Sequence, residues 1–367
     1  MTRSHTPLLF ILAALAPLQL SAQEESAEPP SDPIDSIGMA GLQEAFRILR
    51  SKYIHNQQLT PLEINRAALQ GVVDRLEFGA ELVTGPPPPP PYTTTFRKET
   101  LPGSIGYLRP ATFHADEITA IDDALGSYAD DIETLILDLR APAPHGDFAV
   151  AAEIADRFVA EGKTLIRIVK SDDKRPRVFT SKRQPAWEKN LILLFDEQSN
   201  NVAEAAAAAI AINRPTFSIG LPTPGRTVEY QNISISADLT LRLAVAEALI
   251  GDDTSLFKVG TSPDLISTTD HEAKKAAFTA PKERPLPTFI FEAQRPRLNE
   301  AALVQKTNPE LPYLISRTKK EKSPFDTSPV IDRVLQNAID MVNTDSFLEI
   351  PKPPQPEDGT PPTPEEQ

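Results

Sequence analysis

The middle of the chain alternates short unbroken apolar runs with helical periodicity. Thr134 to Arg140 (TLILDLR) and Leu191 to Phe195 (LILLF) have strand length, and neither alternates apolar with polar positions. Such runs predict strands covered on both faces, hence a layered α/β core. Ser104 to Arg109 predicts a further strand. Asp116 to Ala129 predicts an amphipathic helix with Ile118, Ile121 and Leu125 inward, and Ala152 to Phe158 begins another. Lys163 to Val169 is β-branched and reads as a strand. A charged hairpin or loop follows over Ser171 to Ala186, and Trp187 caps a hydrophobic corner. After Leu191 to Phe195 come a polar turn (Asp196 to Asn201), an alanine-rich helix (Val202 to Ile212), a short strand (Thr216 to Ile219) and a Pro/Gly loop (Leu221 to Arg226). That order brings the loop back beside the turn. Thr227 to Ile235 and Ala237 to Leu243 read as strands, or as a strand running into a helix over Leu241 to Ile250.

Both ends carry weaker patterns. Asp35 to Tyr53 places Leu42, Phe46, Leu49 and Tyr53 at helical spacing, which predicts one face packed on a neighbour. Thr60-Pro61-Leu62-Glu63 is a capping box with proline at the first helical position, opening a helix with Ile64, Ala68, Leu69, Val72, Val73 and Leu76 on its stripe. From Thr268 the chain is polar and Pro-rich, with an apolar island at Arg297 to Leu303 and a helix predicted over Val330 to Val342.

Composition changes this picture in three ways. Apolar residues at 40% suffice for a core, but 37 prolines in 367 residues point to extensive linker and tail. A net charge of −14 argues against nucleic acid or an anionic membrane as partner. The lack of cysteine removes disulfides, thiol nucleophiles and thiolate metal sites, and the five histidines show no ligand spacing; neither metal nor cofactor is expected. Residues 1 to 22 read as a secretory signal, with Arg3, an apolar stretch from Pro7 to Leu20 and Ser21-Ala22 before Gln23; the alternative is an uncleaved membrane anchor.

Several blocks together resemble the C-terminal processing, or tail-specific, peptidases. Ser104 to Arg109 is similar to that family's Ile-Gly-Tyr-Ile-Arg strand, Thr134 to Arg140 to its Leu-Ile-Leu-Asp-Leu-Arg strand, and Ala152 to Phe158 to the helix that follows. Gly260 to Leu265 is similar to its Gly-Ile-x-Pro-Asp-Ile element. The helices before Ser104 and the predicted Val330 helix resemble the family's flanking elements. The resemblance implies a Clp-protease/crotonase-like core and serine peptidase chemistry by a Ser-Lys dyad. The family's catalytic motif, Asn/Asp-Glu-Gly-Ser-Ala-Ser-Ala-Ser/Gly-Glu, aligns with Asp196 to Glu204, matching Asp196, Glu197, Ser199 and Glu204. It puts Asn201 at the nucleophile, Arg226 at the general-base lysine and Tyr230 where a glutamine orients the amine.

Those substitutions bear on the chemistry. An attacking group needs a hydroxyl or thiol, and an amide has neither nucleophilicity nor an ionisable proton. A guanidinium stays protonated and cannot accept the proton. Ser199 is the fallback nucleophile, and Ser218 a remoter one, although no lysine lies between Lys189 and Lys258 to activate Ser199. The family's oxyanion loop, Asn-Asn-Pro-Gly-Gly, is replaced by Ala141 to Gly146 with one extra residue, putting His145 and Gly146 at the glycine pair. His145 reads as a loop histidine without a chemical role.

The expected organisation is a signal peptide (1–22), a disordered lead (23–34), a helical N-terminal region (35–84) and a Pro-rich linker (85–103). A core (104–267), a C-terminal extension with a closing helix (268–346) and a disordered tail (347–367) follow. About 20 residues separate Val83 from Ile105, where the family carries a PDZ domain of a size that needs roughly 50. The resulting expectation is an exported pseudopeptidase that binds a polypeptide, an envelope protein or an active paralogue without cleaving it. The alternatives are an active serine endopeptidase with a rearranged site, and a hydratase-type relative resting on fold analogy alone.

Overall fold

The computed structural model describes residues 37–85, 91–128, 130–142, 147–170, 175–290, 308, 310–319 and 331–344. The predicted signal and lead, most of the proline run, His145, Gly146, the Arg297 island and the tail lie outside the described residues. The chain divides into two compact units, Met1–Val72 and Val73–Gln367.

In the first unit, α1 (Met39–Lys52) forms at the predicted period, with Arg50 and Lys52 in its last turn complementing the helix dipole. None of its residues is buried within this unit, where Leu42 and Leu49 are 42% and 47% exposed. Helix α2 (Pro61–Leu76) opens as the capping box predicts, with the Glu63 amide donating to the Thr60 hydroxyl at 3.2 Å. Ile64 is buried, but Leu69, Val72 and Leu76 stay exposed.

The second unit is built on a six-stranded sheet. Its strands are β2 (Arg97–Leu101), β3 (Ile105–Arg109), β4 (Thr134–Asp138), β7 (Asn190–Phe195), β8 (Phe217–Gly220) and β11 (Leu265–Ile266), in the order β11-β8-β7-β4-β3-β2. All pairs are parallel except β2–β3. Strand β2 falls inside the span read as linker: it pairs along the whole of β3, a long-range contact that no proline count reveals.

The unbroken apolar runs are explained by cover on both sides. Leu135, Leu137, Leu193 and Phe195 face one core, with Ile121 and Leu125 of α3 (Asp116–Tyr128) and Ile154 of α4 (Phe148–Asp156). Ile136, Ile192 and Leu194 face the other, with Val334, Leu335, Ala338 and Ile339 of the closing helix α8 (Arg333–Asn343). Successive side chains on a strand point to opposite faces, so both sets must be apolar. Helix α4 starts four residues before the predicted Ala152 because the Asp147 carboxylate caps it, accepting from the Ala149 amide at 2.9 Å.

A second, antiparallel sheet comprises β1 (Ala80–Val83), β5 (Thr164–Lys170), β6 (Arg177–Thr180), β9 (Val228–Ser236) and β10 (Leu239–Ile250), in the order β1-β10-β5-β6 with β9 on the other side of β10. The helix considered over Leu241 to Ile250 is therefore not formed. Its Leu, Ala and Glu content favours a helix, but pairing with β1, β5 and β9 overrides that weak preference. Helix α5 (Val202–Asn213) lies against β7 of the first sheet and β5 and β10 of the second. Val202 to Ile210 are buried without exception, and a run of alanines lets a helix fit so closely between two sheets.

The segment read as a polar extension also contributes structure. Helix α6 (His271–Phe278) buries Ala273, Lys274, Ala277 and Phe278, and a helix α7 (Leu311–Thr318) precedes α8.

Candidate functional site

Strand β7 ends at Phe195, and the turn from Asp196 to Asn200 carries the chain into α5. Asp196 organises this turn: its carbonyl accepts from the Ser199 amide at 2.9 Å and its carboxylate from the Gln198 amide at 3.0 Å. The Ser199 hydroxyl is wholly buried, donates to the Leu139 carbonyl at 2.9 Å and accepts from the Asp196 amide at 2.9 Å. This serine ties the turn to the end of β4, and both directions of its hydrogen bonding are used. Ser218 is occupied similarly, donating to the Asp264 carboxylate at 2.6 Å.

Asn201 holds the N-cap position of α5 with φ 53° and ψ −109°. A β-carbon makes this backbone conformation unfavourable, so the surroundings must enforce it. An N-cap asparagine ordinarily turns its carbonyl oxygen onto the helix amides. This one makes no such bond. Its amide nitrogen reaches the facing loop instead, donating to the Val228 carbonyl at 2.8 Å and, more weakly, to the Arg226 carbonyl at 3.4 Å. The turn and the loop therefore meet as the element order predicts, through a side-chain amide and two backbone carbonyls.

Glu204, one turn into α5, fixes the loop from below. Its buried carboxylate accepts from the Thr223 hydroxyl, the Gly225 amide (2.7 Å) and the Arg226 amide (2.8 Å). Burial pushes this carboxyl above its ordinary range, and these donors offset only part of the shift. Gly225 is required by geometry: at φ 71° it passes the 256–260 segment so closely that a β-carbon would stand 2.5 Å from the Leu256 carbonyl oxygen. The neighbouring Thr227 hydroxyl is enclosed with no hydrogen-bond partner among the described residues.

With its backbone held on both sides, Arg226 sends an exposed guanidinium outward, 5.5 Å from the centre of the Phe78 ring. Phe257 packs edge-on against Phe78 at 5.2 Å. Tyr230 donates its hydroxyl to the Phe78 carbonyl at 2.9 Å and lies under the Arg242 guanidinium at 4.1 Å, so it braces the aromatic wall. Burial raises the Tyr230 phenol above its usual value.

A second polar cluster escaped the sequence reading. Arg140, fully buried, forks between Asp138 (2.7 and 2.9 Å) and Asp332 at the start of α8 (2.8 and 2.9 Å). Tyr107 donates to Asp138 at 2.8 Å. Beside it Lys274 of α6 binds Asp196 at 2.5 Å and Gln198 at 2.9 Å, and the Tyr92 hydroxyl donates to Gln198 at 3.0 Å. Lysine is thus supplied to the turn from outside the core, but it serves Asp196 rather than Ser199. Burial lowers the Lys274 ammonium and raises the Asp196 carboxyl, each partly offset by the other. Asp138 and Arg140, charged residues at the end of an apolar strand, were the available signal. Their partner stands 192 residues away, beyond any local pattern.

Among the described residues no group of His, Cys, Asp and Glu could hold a metal ion, and no helix is long and apolar enough to cross a membrane.

Comparison with known proteins gives one family and a set of related folds. The model of Peptidase family S41 matches residues 104–267. No curated protein matches. Among solved structures, the photosystem II D1 C-terminal processing protease is 21% identical, with TM-score 0.41, over 52% of this chain and 53% of that one. An S41 protease from Bacteroides fragilis is 17% identical, with TM-score 0.42, over 48% of this chain and 50% of that one. A peptidase from Parabacteroides merdae is 12% identical, with TM-score 0.49, over 65% of this chain and 85% of that one. The chain thus spans about half the length of the first two. The segment from Ser104 to Ser267, which carries most of the six-stranded sheet, the strained turn and the facing loop, is thus the part of the chain that is similar to Peptidase family S41.

Proposed function

We propose that this domain binds an extended stretch of polypeptide without cleaving it, in a protein exported behind an N-terminal signal. The observation that carries the reading is Asn201, which occupies the helix-start position where the resemblance calls for a serine. An amide already donating to Val228 offers no lone pair for attack and no proton to transfer. Arg226, at the position of the base, presents a guanidinium, which gives up no proton in this pH range. Ser199 is no substitute, because its hydroxyl is buried and bonded in both directions.

Support for a polypeptide ligand comes from β9. It pairs only with β10 among the described residues. The Val228 carbonyl points away from β10 toward Asn201, and carbonyls alternate along a strand, so the open edge of β9 runs out from Asn201. An open edge of this kind accepts an added strand through backbone hydrogen bonds. With only about 20 residues between Val83 and Ile105, fewer than the roughly 50 a domain needs, a PDZ module plays no part in this reading.

The test is incubation of the full chain with a fluorescent, permanently unfolded polypeptide. Anisotropy should rise on binding while the labelled chain keeps its length on a denaturing gel. Absence of binding, or fragments dependent on the protein, would overturn the proposal.

A further inference from the structure

Helix α1 is amphipathic, yet its apolar side meets water. Met39, Leu42, Phe46, Leu49 and Tyr53 follow one another at intervals of three and four residues in turn, the spacing of a seam between two helices. Four of these side chains are exposed and Phe46 is half-buried, while the Glu44–Arg47 ion pair stands away from the seam. A helix of 14 residues is marginal in water and draws most of its stability from packing its apolar face. This one also starts without a side-chain cap and without an acid in its first turn, so it depends on cover all the more. The surface on offer is large. Over residues 37–72 ten large apolar side chains are exposed, on the order of 1,000 Å², where a standard interface takes about 800 Å² from each partner.

We infer that α1 is the contact of a homodimer, packing antiparallel against α1 of a second copy of the chain. The seam is self-complementary. When the first and fourth positions of its seven-residue repeat face each other across the pair, Phe46 of each helix meets Leu49 of the other and Leu42 meets Tyr53. Charge fixes the direction. Gln43 and Ala45 flank the first half of the seam, Arg50 and Lys52 the second. Parallel pairing would gather four cations at one end and align the helix dipoles, whereas antiparallel pairing separates the cations and opposes the dipoles. The same surface then serves both copies and the assembly closes at two. Leu62, Leu69 and Val72 of α2, exposed in the same unit, enlarge the area that a second copy can cover. None of this depends on whether the domain binds a polypeptide.

Light scattering on the full chain at micromolar concentration should give twice the mass of one chain. Phe46→Glu, which charges the middle of the seam, should give the mass of one, and Ser51→Glu, on the solvated side of the helix, should stay dimeric. Neither residue is buried, so the single tryptophan, Trp187, buried in the second unit, should keep its emission maximum in both variants. Direction is read by cross-linking. The chain has no cysteine, so introduced thiols report contacts between copies alone. A mixture of Leu42→Cys and Tyr53→Cys proteins should form a disulfide-linked dimer on mild oxidation. Neither variant by itself should do so, because in the antiparallel register like positions stand about 16 Å apart along the helix, too far for a disulfide. A wild type with the mass of one chain, a dimer that survives Phe46→Glu or is lost in Ser51→Glu, or cross-linking within either cysteine variant alone would overturn the inference.

Discussion

The Asn201 side-chain amide donates to the Val228 carbonyl at 2.8 Å, so the residue at the strained start of α5 serves as a brace between the turn and the facing loop. A serine hydroxyl is shorter and would leave that carbonyl to water or to a ligand. The amide thus ties the turn to the facing loop.

This brace has a measurable stability. Asn201→Ala removes the bonds to Val228 and Arg226 while keeping a β-carbon at φ 53°, and should destabilise the domain by about 1–3 kcal/mol in urea unfolding. Asn201→Gly loses the same bonds but relieves the backbone, recovering about 1 kcal/mol. The order wild type, Gly, Ala is expected; Ala above Gly would mean that the backbone is not strained.

Closure of the second face depends on Arg140 and Asp332. Asp332→Ala leaves a wholly buried guanidinium with Asp138 alone and should cost about 3–5 kcal/mol. Because Asp332 also caps α8, accepting from the Leu335 amide, limited proteolysis of the variant should cut first near that helix. Asp332→Asn, which keeps the shape and the capping oxygen, should lose less.

Glu204 gives stability a pH dependence opposite to that of most paired acids. Burial raises its carboxyl in the folded state, so the folded protein takes up this proton at higher pH than the unfolded chain. Its contribution to stability is therefore greatest at low pH and is lost as pH rises through the folded value. Between neutral pH and the ordinary carboxylate range, Glu204→Gln should show a flatter stability profile than wild type, measured as Tm at each pH.

Lys274 can be tested in the same way. Its ammonium holds down the Asp196 carboxyl, which burial otherwise raises. Lys274→Met should raise Asp196 further, so the variant should be most destabilised at about pH 8 and recover part of the loss at about pH 5, as Asp196 takes up a proton. A deficit independent of pH would show that packing, not charge, dominates there.

Much of this was legible in the chain because it is local. The unbroken runs at Thr134 and Leu191 declare strands covered on both faces, and the alanines after Asn201 declare a helix in a confined space. The turn and loop could be brought together from element order alone. What escaped depends on distant partners. Strand β10 looks helical until β1, more than 150 residues earlier, is seen to pair with it. Lys274 lies in a segment whose sequence reads only as polar and Pro-rich, and its contact with Asp196 becomes visible only when α6 is placed beside the turn. Arg226 was identified by position, but where its guanidinium points, and that no described acid meets it, requires coordinates.

Cleavage itself is the most direct measurement. The full chain is incubated with the permanently unfolded polypeptide in water enriched in oxygen-18, and the products are examined by mass spectrometry, since hydrolysis writes one heavy oxygen into each new carboxyl end. Labelled ends no more frequent than in a protein-free control are expected. Labelled ends that appear with wild-type protein, and not with Asn201→Ala, would contradict the reading of this domain as one that holds a polypeptide intact.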